Sequence, residues 1–196
     1  MIADDAIVHP DARVADSARV WGGSVLLPGS HVGEDAVISR NVYIGADVRI
    51  GNRCKVKDMS LLYEGSVLED GVFVGPSCVL TNDKTPRAVN PDGSLKTAAD
   101  WEQVGVTLRT GASLGARTVC VAPVTVGRWA MIAAGSIVSR DVPDYALMVG
   151  SPARQVGWVG RAGVRLVEVT PIDFTCPSTG ERYLLETGKM RLHDGQ

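Results

Sequence analysis

A period of six residues runs through most of this chain and limits what it can fold into. Starting at Val8 and stepping by six, thirteen successive positions up to Leu80 are all aliphatic. The period resumes at Leu108 and continues through five more positions to Val138, where Cys120 is the one member that is not aliphatic. Neither the 3.6-residue period of an α-helix nor the two-residue alternation of a half-exposed strand gives this spacing. A fixed short repeat of this kind indicates a solenoid.

Each hexad has room for one short strand and one tight corner, so three hexads close one triangular coil. The aliphatic side chain then points into the prism and stacks on its equivalents in the neighbouring coils. Four places later the residue is usually small, as at Ala12, Ser24 and Ala36, which suits the little space inside a corner. A glycine follows six of the nineteen repeat positions and gives the backbone the freedom that corners need. The pattern predicts an all-β parallel β-helix of about six coils, about 30 Å long at roughly 4.8 Å per strand pair.

The repeat is interrupted once, between Leu80 and Leu108. The segment 81–107 contains two prolines, an Asp-Gly pair and charges of both signs, which together predict a loop. A loop this long in a compact domain is usually functional. Because it rejoins the repeat in register, we expect it to form part of a site rather than a passive bulge.

The repeat ends after Val138, where prolines follow and interrupt regular pairing. Beyond residue 160 short β-like runs alternate with turn residues. We therefore predict three parts, which are a β-helix domain over 1–142 with the inserted loop at 81–107, a C-terminal cap segment over 143–160, and a small β appendage over 161–196.

Composition excludes several classes of protein. The net charge of −2 gives no basic surface for nucleic acid. No apolar run is long enough to span a membrane, and the N-terminus lacks the pattern of a signal peptide. The cysteines have no spacing typical of a metal site, so we predict no metal and a reducing, cytoplasmic compartment; they are Cys54, Cys78, Cys120 and Cys176.

The strict hexapeptide array resembles the left-handed β-helix superfamily. The resemblance implies the left-handed sense, because the ordinary crossover rule favours right-handed connections. Most members are acyltransferases, but the fold also includes γ-class carbonic anhydrases and structural or binding proteins. An anhydrase needs three histidines that converge on a metal, whereas His9, His31 and His193 lie far apart along this chain.

The distribution of histidine also bears on the acceptor of an acyl group. A hydroxyl acceptor needs a general base, typically histidine, but none occurs between His31 and His193. A neutral amine can attack a thioester unaided, and the departing thiolate can take up the surplus proton. The sequence therefore favours N-acylation. The alternative is that His31 reaches a site from a neighbouring chain, although its repeat context favours a solvated surface side chain.

Two runs resemble one branch of that superfamily, the sugar-nucleotide N-acetyltransferases that act on UDP-linked 3-amino sugars. They are YEGSVLEDGVFVGPSCVLTNDKTPRA at 63–88 and a longer run at 104–158, and the resemblance covers nearly all of residues 1–160. It implies a cytoplasmic homotrimer that binds acetyl-CoA in the groove between adjacent subunits and acetylates a UDP-linked amino sugar. Near Trp21 the chain reads VWGGS and departs from the family's usual string.

The resemblance also implies residue roles around the loop entry. Asn82, from the TN motif, is placed beside the acceptor amine, where its amide can accept a hydrogen bond and orient the lone pair. Asp83 departs from the apolar residue common in the family, so it is either an auxiliary base or a contact to a different sugar. Arg87, with Lys84 as a weaker companion, is predicted to bind the substrate's carboxylate or pyrophosphate.

Two acidic residues and six later positions complete the predicted site. Glu69 and Asp70 either orient Asn82 in the substrate site or are solvated charges at an edge. The coenzyme is expected to meet open backbone amides and one arginine for its phosphates, at Gly115, Ala116, Ala133, Ala134, Gly135 and Arg154. Two other functions stay open, which are acylation of another small amine or hydroxyl, and a non-catalytic trimeric scaffold.

Overall fold

Each of the nineteen hexads forms one short strand, so the hexapeptide prediction is confirmed. The structure is a computed structural model, and it describes residues 1–193; residues 194–196, at the end of the predicted appendage, lie outside the described part. From the fourth strand onward, each strand of the hexads pairs in parallel with the strand three places earlier, which lies one coil before it, as Tyr43–Ile44 does with Val25–Leu26. Three parallel sheets result, and they form the faces of a triangular prism.

The three faces are numbered in the order in which the chain meets them. Face I contains β1 (Ile7–Val8), β4 (Val25–Leu26), β7 (Tyr43–Ile44), β10 (Leu61–Leu62), β13 (Val79–Leu80), β16 (Val119–Cys120) and β19 (Ile137–Val138). Face II contains β2 (Arg13–Val14), β5 (His31–Val32), β8 (Arg49–Ile50), β11 (Val67–Leu68), β14 (Val106–Leu108) and β17 (Val124–Val126). Face III contains β3 (Arg19–Val20), β6 (Val37–Ile38), β9 (Lys55–Val56), β12 (Phe73–Val74), β15 (Ser113–Leu114), β18 (Met131–Ile132), β20 (Ala146–Val149) and the antiparallel β21 (Arg154–Trp158).

The prism contains slightly more than the six coils expected from the hexads. Faces I, II and III contain seven, six and seven parallel strands, because β20 adds a strand after the last hexad. We name each corner by the faces that it joins, so edge I–II follows a strand of face I, edge II–III a strand of face II, and edge III–I a strand of face III.

The predicted inward positions form one continuous core. Val20 and every later aliphatic position of the repeat up to Val138 is buried, together with Cys120. Small residues fill the corners, where they also make hydrogen bonds; the Ser24 hydroxyl donates to the Ser39 carbonyl at 2.7 Å and accepts from the Val42 amide at 3.2 Å. The four cysteines are free thiols, and burial raises the pKa of Cys120 to about 12.

The inserted loop leaves the prism after β13 and returns at β14. It contains one turn of 3-10 helix, Ala98–Asp100, and one antiparallel bridge between Val89 and Leu95. No residue from 81 to 104 is buried. The loop therefore lies on the outside of the prism and contributes little to the core.

Four antiparallel strands form a separate sheet at the C-terminal end. They are β22 (Val167–Thr170), β23 (Asp173–Thr175), β24 (Arg182–Glu186) and β25 (Lys189–Leu192). This sheet has its own small core, which includes Phe174, Tyr183 and Met190 and packs against Trp158 near the end of the prism. Within residues 1–193 there is no helix long and apolar enough to cross a membrane.

Candidate active site

Asn82 lies on edge I–II, directly after β13 and one full coil after Glu64. Its Nδ2 donates to the Glu64 carboxylate oxygen Oε2 at 2.8 Å across 18 residues of sequence. A carboxylate can only accept, so this bond fixes the amide nitrogen towards Glu64. The Asn82 oxygen Oδ1 is thereby left as an oriented acceptor with no partner among the described residues.

Tyr43 supports Glu64 from the coil below, and its ring packs against that of Tyr63, the residue before Glu64. The Tyr43 hydroxyl donates to Glu64 Oε1 at 3.4 Å, and the rings of Tyr43 and Tyr63 lie 5.4 Å apart at 49°. Burial, followed by the charge of Glu64, raises the pKa of Tyr43, so its hydroxyl keeps its proton for this bond. Tyr43, Glu64 and Asn82 form a hydrogen-bonded row along one edge of the prism.

The expectation that Glu69 or Asp70 orients Asn82 is wrong, because both belong to edge II–III. Glu69 accepts from the Thr110 amide at 2.9 Å and hydroxyl at 2.7 Å, and the bonds from Thr110 lower its pKa. Asp70 accepts from the Asn52 amide at 2.8 Å. Glu69 and Asp70 are predicted either to orient Asn82 or to be charges at an edge of the prism, and their positions fit the second interpretation. A substrate-binding role for them stays a prediction.

A small pocket lies within the inserted loop, and its lining begins at Asp83, the residue after Asn82. Asp83 and Arg87 line it as predicted for substrate contacts, together with Lys96, Thr97 and Trp101, and its volume is about 350 Å³. The Asp83 oxygen Oδ1 accepts from the Thr85 amide at 2.7 Å, which forms a local turn.

The two predicted cations of the loop differ in their position. The Arg87 guanidinium donates to the Pro86 carbonyl at 3.0 Å and remains exposed. Lys84 is exposed and does not line this pocket, whereas Lys96, which the sequence did not single out, does. The pair of cations at the pocket is therefore Arg87 and Lys96.

The neck of the loop is closed by the backbone. The Val104 amide donates to the Asn82 carbonyl at 3.0 Å, so the start and end of the loop meet beside the candidate site. Here Gly65, with φ +80°, faces Gly105, and a Cβ on Gly105 would stand only 1.9 Å from the Gly65 carbonyl oxygen. Only glycine at both positions permits this close approach.

The backbone amides predicted for the coenzyme fall on edge III–I, and they divide into two groups. Gly115, Ala133 and Gly135 each donate to a carbonyl of a neighbouring coil at 2.8 Å, so the expectation that their amides are open is wrong. The amides of Ala116 and Ala134 have no acceptor among the described residues. These two amides fit the prediction.

The amides of Ala116 and Ala134 are open because the residue one coil further along cannot cover them. At other corners an Asp or Asn side chain covers the equivalent amide, as Asp58 does for Arg40 at 3.2 Å and Asp70 does for Asn52 at 2.8 Å. The residue 18 places after Ala116 is Ala134, which has no side chain oxygen. The missing cap is visible in the sequence, because an alanine stands where other coils have Asp or Asn.

Arg154 lies on β21, where it lines an open hollow of about 280 Å³ together with Ser139 and Arg140. Its guanidinium donates to the Ala153 carbonyl at 3.1 Å. Arg140, at edge I–II, was not predicted. Two arginines at one hollow provide donors of the kind that phosphate groups bind.

One chain therefore places the predicted residues on different edges of the prism. Asn82 and the loop pocket lie at edge I–II, and the open amides of Ala116 and Ala134 lie at edge III–I, with the width of face I between them. The structure shows no group of three or more His, Cys, Asp or Glu side chains within residues 1–193 that could hold a metal ion.

Two curated relatives share parts of this sequence. The bifunctional protein GlmU of Brevibacillus brevis is 34% identical over 155 residues, which is 79% of this chain and 30% of that protein. The dTDP-3-amino-3,6-dideoxy-α-D-galactopyranose 3-N-acetyltransferase of Aneurinibacillus thermoaerophilus is 52% identical over 59 residues, 30% of this chain and 31% of that protein. The chain thus spans about a third of the length of these relatives. No family model matches the chain.

Solved structures share the fold. A Bacillus cereus protein named as an acetyltransferase superposes with a TM-score of 0.62 at 21% identity, over 80% of this chain and 86% of that chain. A hexapeptide-repeat-containing acetyltransferase of Vibrio cholerae, solved with acetyl coenzyme A, gives 0.53 at 21% identity, over 67% of this chain and 72% of that chain. The chain resembles the left-handed β-helix acyltransferases in sequence and shares their fold. The resemblance to this superfamily and the predicted fold class are therefore both confirmed.

Proposed function

We propose that this chain is an acetyl-CoA-dependent N-acetyltransferase that acts on the amino group of a nucleotide-linked 3-amino sugar. The observation that carries the proposal is the Asn82 amide, whose nitrogen is bound to Glu64 so that its oxygen is left as a free acceptor, one residue before the lining of the loop pocket begins at Asp83. The named activity of the Aneurinibacillus thermoaerophilus relative, on a dTDP-linked 3-amino sugar, supports the substrate class. The nucleotide is then dTDP or UDP.

The reaction needs no base from the protein in this scheme. The neutral amine donates one N–H to Asn82 Oδ1, which directs its lone pair at the thioester carbonyl carbon. A carbon–nitrogen bond forms, the tetrahedral intermediate collapses, and the carbon–sulfur bond breaks. The surplus proton of the amine passes to the departing thiolate, so that coenzyme A leaves as the thiol.

An open backbone amide stabilises the oxyanion of that intermediate. The amides of Ala116 and Ala134 are the candidates, because neither donates a hydrogen bond within residues 1–193. A fixed donor directed at the developing charge commonly contributes about 3 kcal/mol to such reactions. The phosphates of the two substrates bind charged side chains. Arg87 and Lys96 bind the diphosphate of the sugar nucleotide. Arg154 and Arg140 bind the phosphates of coenzyme A.

A homotrimer brings these groups together. The outward residue of every strand in face I is apolar or aromatic, unlike those of faces II and III, which include Arg13, His31 and Lys55. The row on face I comprises Ile7, Val25, Tyr43, Leu61, Val79, Val119 and Ile137. Burial of such a row favours self-association.

Three-fold symmetry then determines which edges meet. If face I of each subunit turns towards the axis, edge I–II of one subunit lies beside edge III–I of the next. Asn82 of one subunit is thereby placed next to Ala116 and Ala134 of its neighbour. The separation of these residues within one chain is what a site shared between subunits requires.

The function is tested by thiol release from acetyl-CoA with dTDP- and UDP-linked 3-amino sugars. We expect turnover by the wild type and a loss of about 10²-fold in kcat/KM for Asn82→Ala, because the amine is no longer oriented. Asn90→Ala, which removes another amide of the same loop, is the matched control and should stay within twofold of wild type. Undiminished turnover by Asn82→Ala would exclude the proposed role.

The outcome without turnover separates the other two functions. Saturable binding of coenzyme A with no sugar acetylated would favour another small amine or hydroxyl acceptor, for which Asp83 supplies a carboxylate at the pocket. Absence of coenzyme A binding would favour a non-catalytic scaffold.

The assembly is tested by one charge on the apolar row. Val79→Arg places a guanidinium in the middle of face I, and we expect light scattering to give the mass of a monomer, with acetyl transfer lost as well. Val37→Arg, at an outward position of face III, is the control and should leave the wild-type mass unchanged. A wild-type chain that is monomeric would remove the shared site.

A further inference from the structure

The C-terminal sheet forms a cleft with the prism, and the two cations of this cleft have no part in the proposed acetyl transfer. The cleft shares Asp141 and Pro143 with the neighbouring hollow of Arg154. The cleft has a volume of about 570 Å³, within the range of small-molecule sites. One wall is the prism, with Arg109 at edge II–III and Thr125 on face II, and the other is the hairpin of β24 and β25, which contributes Lys189 and Met190. Asn82 lies on a different edge of the prism.

Two cations, Arg109 and Lys189, line this cleft together with the carboxylates of Asp141 and Asp144. Within residues 1–193 neither the Arg109 guanidinium nor the Lys189 ammonium group makes an ion pair or a side-chain hydrogen bond. Glu69 is the acidic neighbour of Arg109, but Thr110 already donates two hydrogen bonds to its carboxylate. An anion that enters the cleft therefore meets two positive groups whose hydrogen-bond donors are free.

The carboxylates of the cleft accept hydrogen bonds from backbone amides. Asp141 Oδ1 accepts from the Thr125 amide at 2.8 Å, and Asp144 Oδ1 accepts from the Arg128 amide at 2.7 Å. Neither forms an ion pair with Lys189 or Arg109 at 4 Å or less in the described part of the chain. Each keeps its second oxygen as an acceptor, which suits a hydroxyl group of a ligand.

The hairpin places Lys189 firmly. Thr187 and Gly188 have φ values of +48° and +78°, which fit a tight two-residue turn between paired strands. The next residue, Met190, is 3% exposed and belongs to the core of the C-terminal sheet. Lys189 therefore projects from an ordered position rather than from a free end.

We propose that this cleft is a binding site for a sugar phosphate. The phosphate lies between Arg109 and Lys189, which provide charge-assisted donors, and sugar hydroxyls donate to the free oxygens of Asp141 and Asp144. The same chemistry occurs in a free sugar phosphate and in the phosphosugar end of a nucleotide sugar. Val142 and Met190 provide apolar contacts to the sugar ring.

Methionine methyl groups give a local test of this site. The chain has five methionines, and Met190 is the one that lines this cleft. We would titrate full-length protein labelled at the methionine methyl carbons with glucose 1-phosphate and record NMR spectra, with the Met190 signal assigned from Met190→Leu. A second titration with UDP-glucose distinguishes the two sources, and both are repeated in Arg87→Gln to remove binding at the loop pocket.

We expect a saturable shift of the Met190 signal, weakened roughly tenfold in Kd by Lys189→Gln and by Arg109→Gln, because each removes a charged donor. Lys55→Gln on face III is the control and should bind like wild type. A response to glucose 1-phosphate identifies the free sugar phosphate as ligand, and a response to UDP-glucose alone identifies the nucleotide-linked form. No shift with either compound, or a shift unaffected by both cleft variants, would overturn the proposal, and neither result depends on acetyl transfer.

Discussion

The prism and the inserted loop are stabilised by different interactions, apolar packing in the prism and polar hydrogen bonds in the loop. In the prism nearly every coil repeats the same buried position, and the side chains from Val20 to Val138 at that position form one apolar column. In the loop no residue from 81 to 104 is buried, and its turns depend on polar side chains that bind nearby backbone amides. Such bonds occur between Asp83 and Thr85, between Asp92 and Ser94, and between Asp100 and Thr97.

This difference separates stability from function. The column supplies the free energy of folding, whereas the loop adds polar groups at one corner without changing the column. The loop's contribution to the site is therefore free to vary while the prism stays the same. Three substitutions test how complete the separation is.

The largest expected effect is in the column. Leu62→Ala empties a fully buried position and should lower the free energy of unfolding by about 2–5 kcal/mol. Leu95→Ala removes the same atoms from a loop side chain that is 78% exposed, so it should change stability by less than about 0.5 kcal/mol. Urea denaturation of both variants gives the comparison, and similar losses for the two would show that the loop is part of the stabilising structure.

An intermediate effect is expected where the two regions join. Gly105→Ala sets a Cβ 1.9 Å from the Gly65 carbonyl, so the backbone must move and stability should fall by about 1–3 kcal/mol. Acetyl transfer should fall too, because the displaced neck includes the bond between Val104 and Asn82. Gly93→Ala is the control, with φ +85° but open space around it, and it should cost only about 1 kcal/mol without loss of activity. Normal turnover by Gly105→Ala would show that the neck does not position Asn82.

The smallest effect is expected inside the loop. Asp100 accepts from the Thr97 amide and hydroxyl at 2.7 Å each, and the bonds from Thr97 lower its pKa below 3.8. A lowered pKa means that the carboxylate supports the turn above pH 3.8 and that this support is lost as the pH falls through the lowered value. Asp100→Ala should therefore speed amide hydrogen exchange in residues 97–103 at pH 7 and leave the unfolding midpoint unchanged. A shifted midpoint would mean that the loop turn is coupled to the prism.

Most of the fold could be predicted because the prism obeys one local rule. A six-residue period states which side chain points inward at each coil, and the strands end at those positions from Val8 to Val138. The count of coils was slightly low, since β20 continues face III after the hexads stop and its sequence, ALMV, carries no repeat signal. The shape of the C-terminal sheet depends on contacts such as Tyr183 with Tyr145, which have no sequence period.

The candidate site was predicted less well, because its contacts run between coils. Asn82 is predicted from a motif, and the acids considered as its partners are Glu69 and Asp70. A regular coil contains 18 residues, so the neighbour of a residue along the same edge is 18 positions away. For Asn82 this neighbour is Glu64. The same step explains why Ala116 and Ala134 have open amides. Lys96 and Trp101 could not be placed in advance, because the path of an irregular loop is not given by any period.

The spacing of 18 residues between paired strands also has a consequence for how the chain folds. Paired residues such as Val25 and Tyr43 are close in sequence, so each coil can form on the one before it with little loop-closure entropy. Across the inserted loop the separation rises to 40 residues, between Val67 and Thr107, which raises that cost by about 0.7 kcal/mol. We expect the growing chain to stack its coils in order during synthesis. The longest delay should occur at the loop, where the thirteen strands already formed end in exposed strand edges.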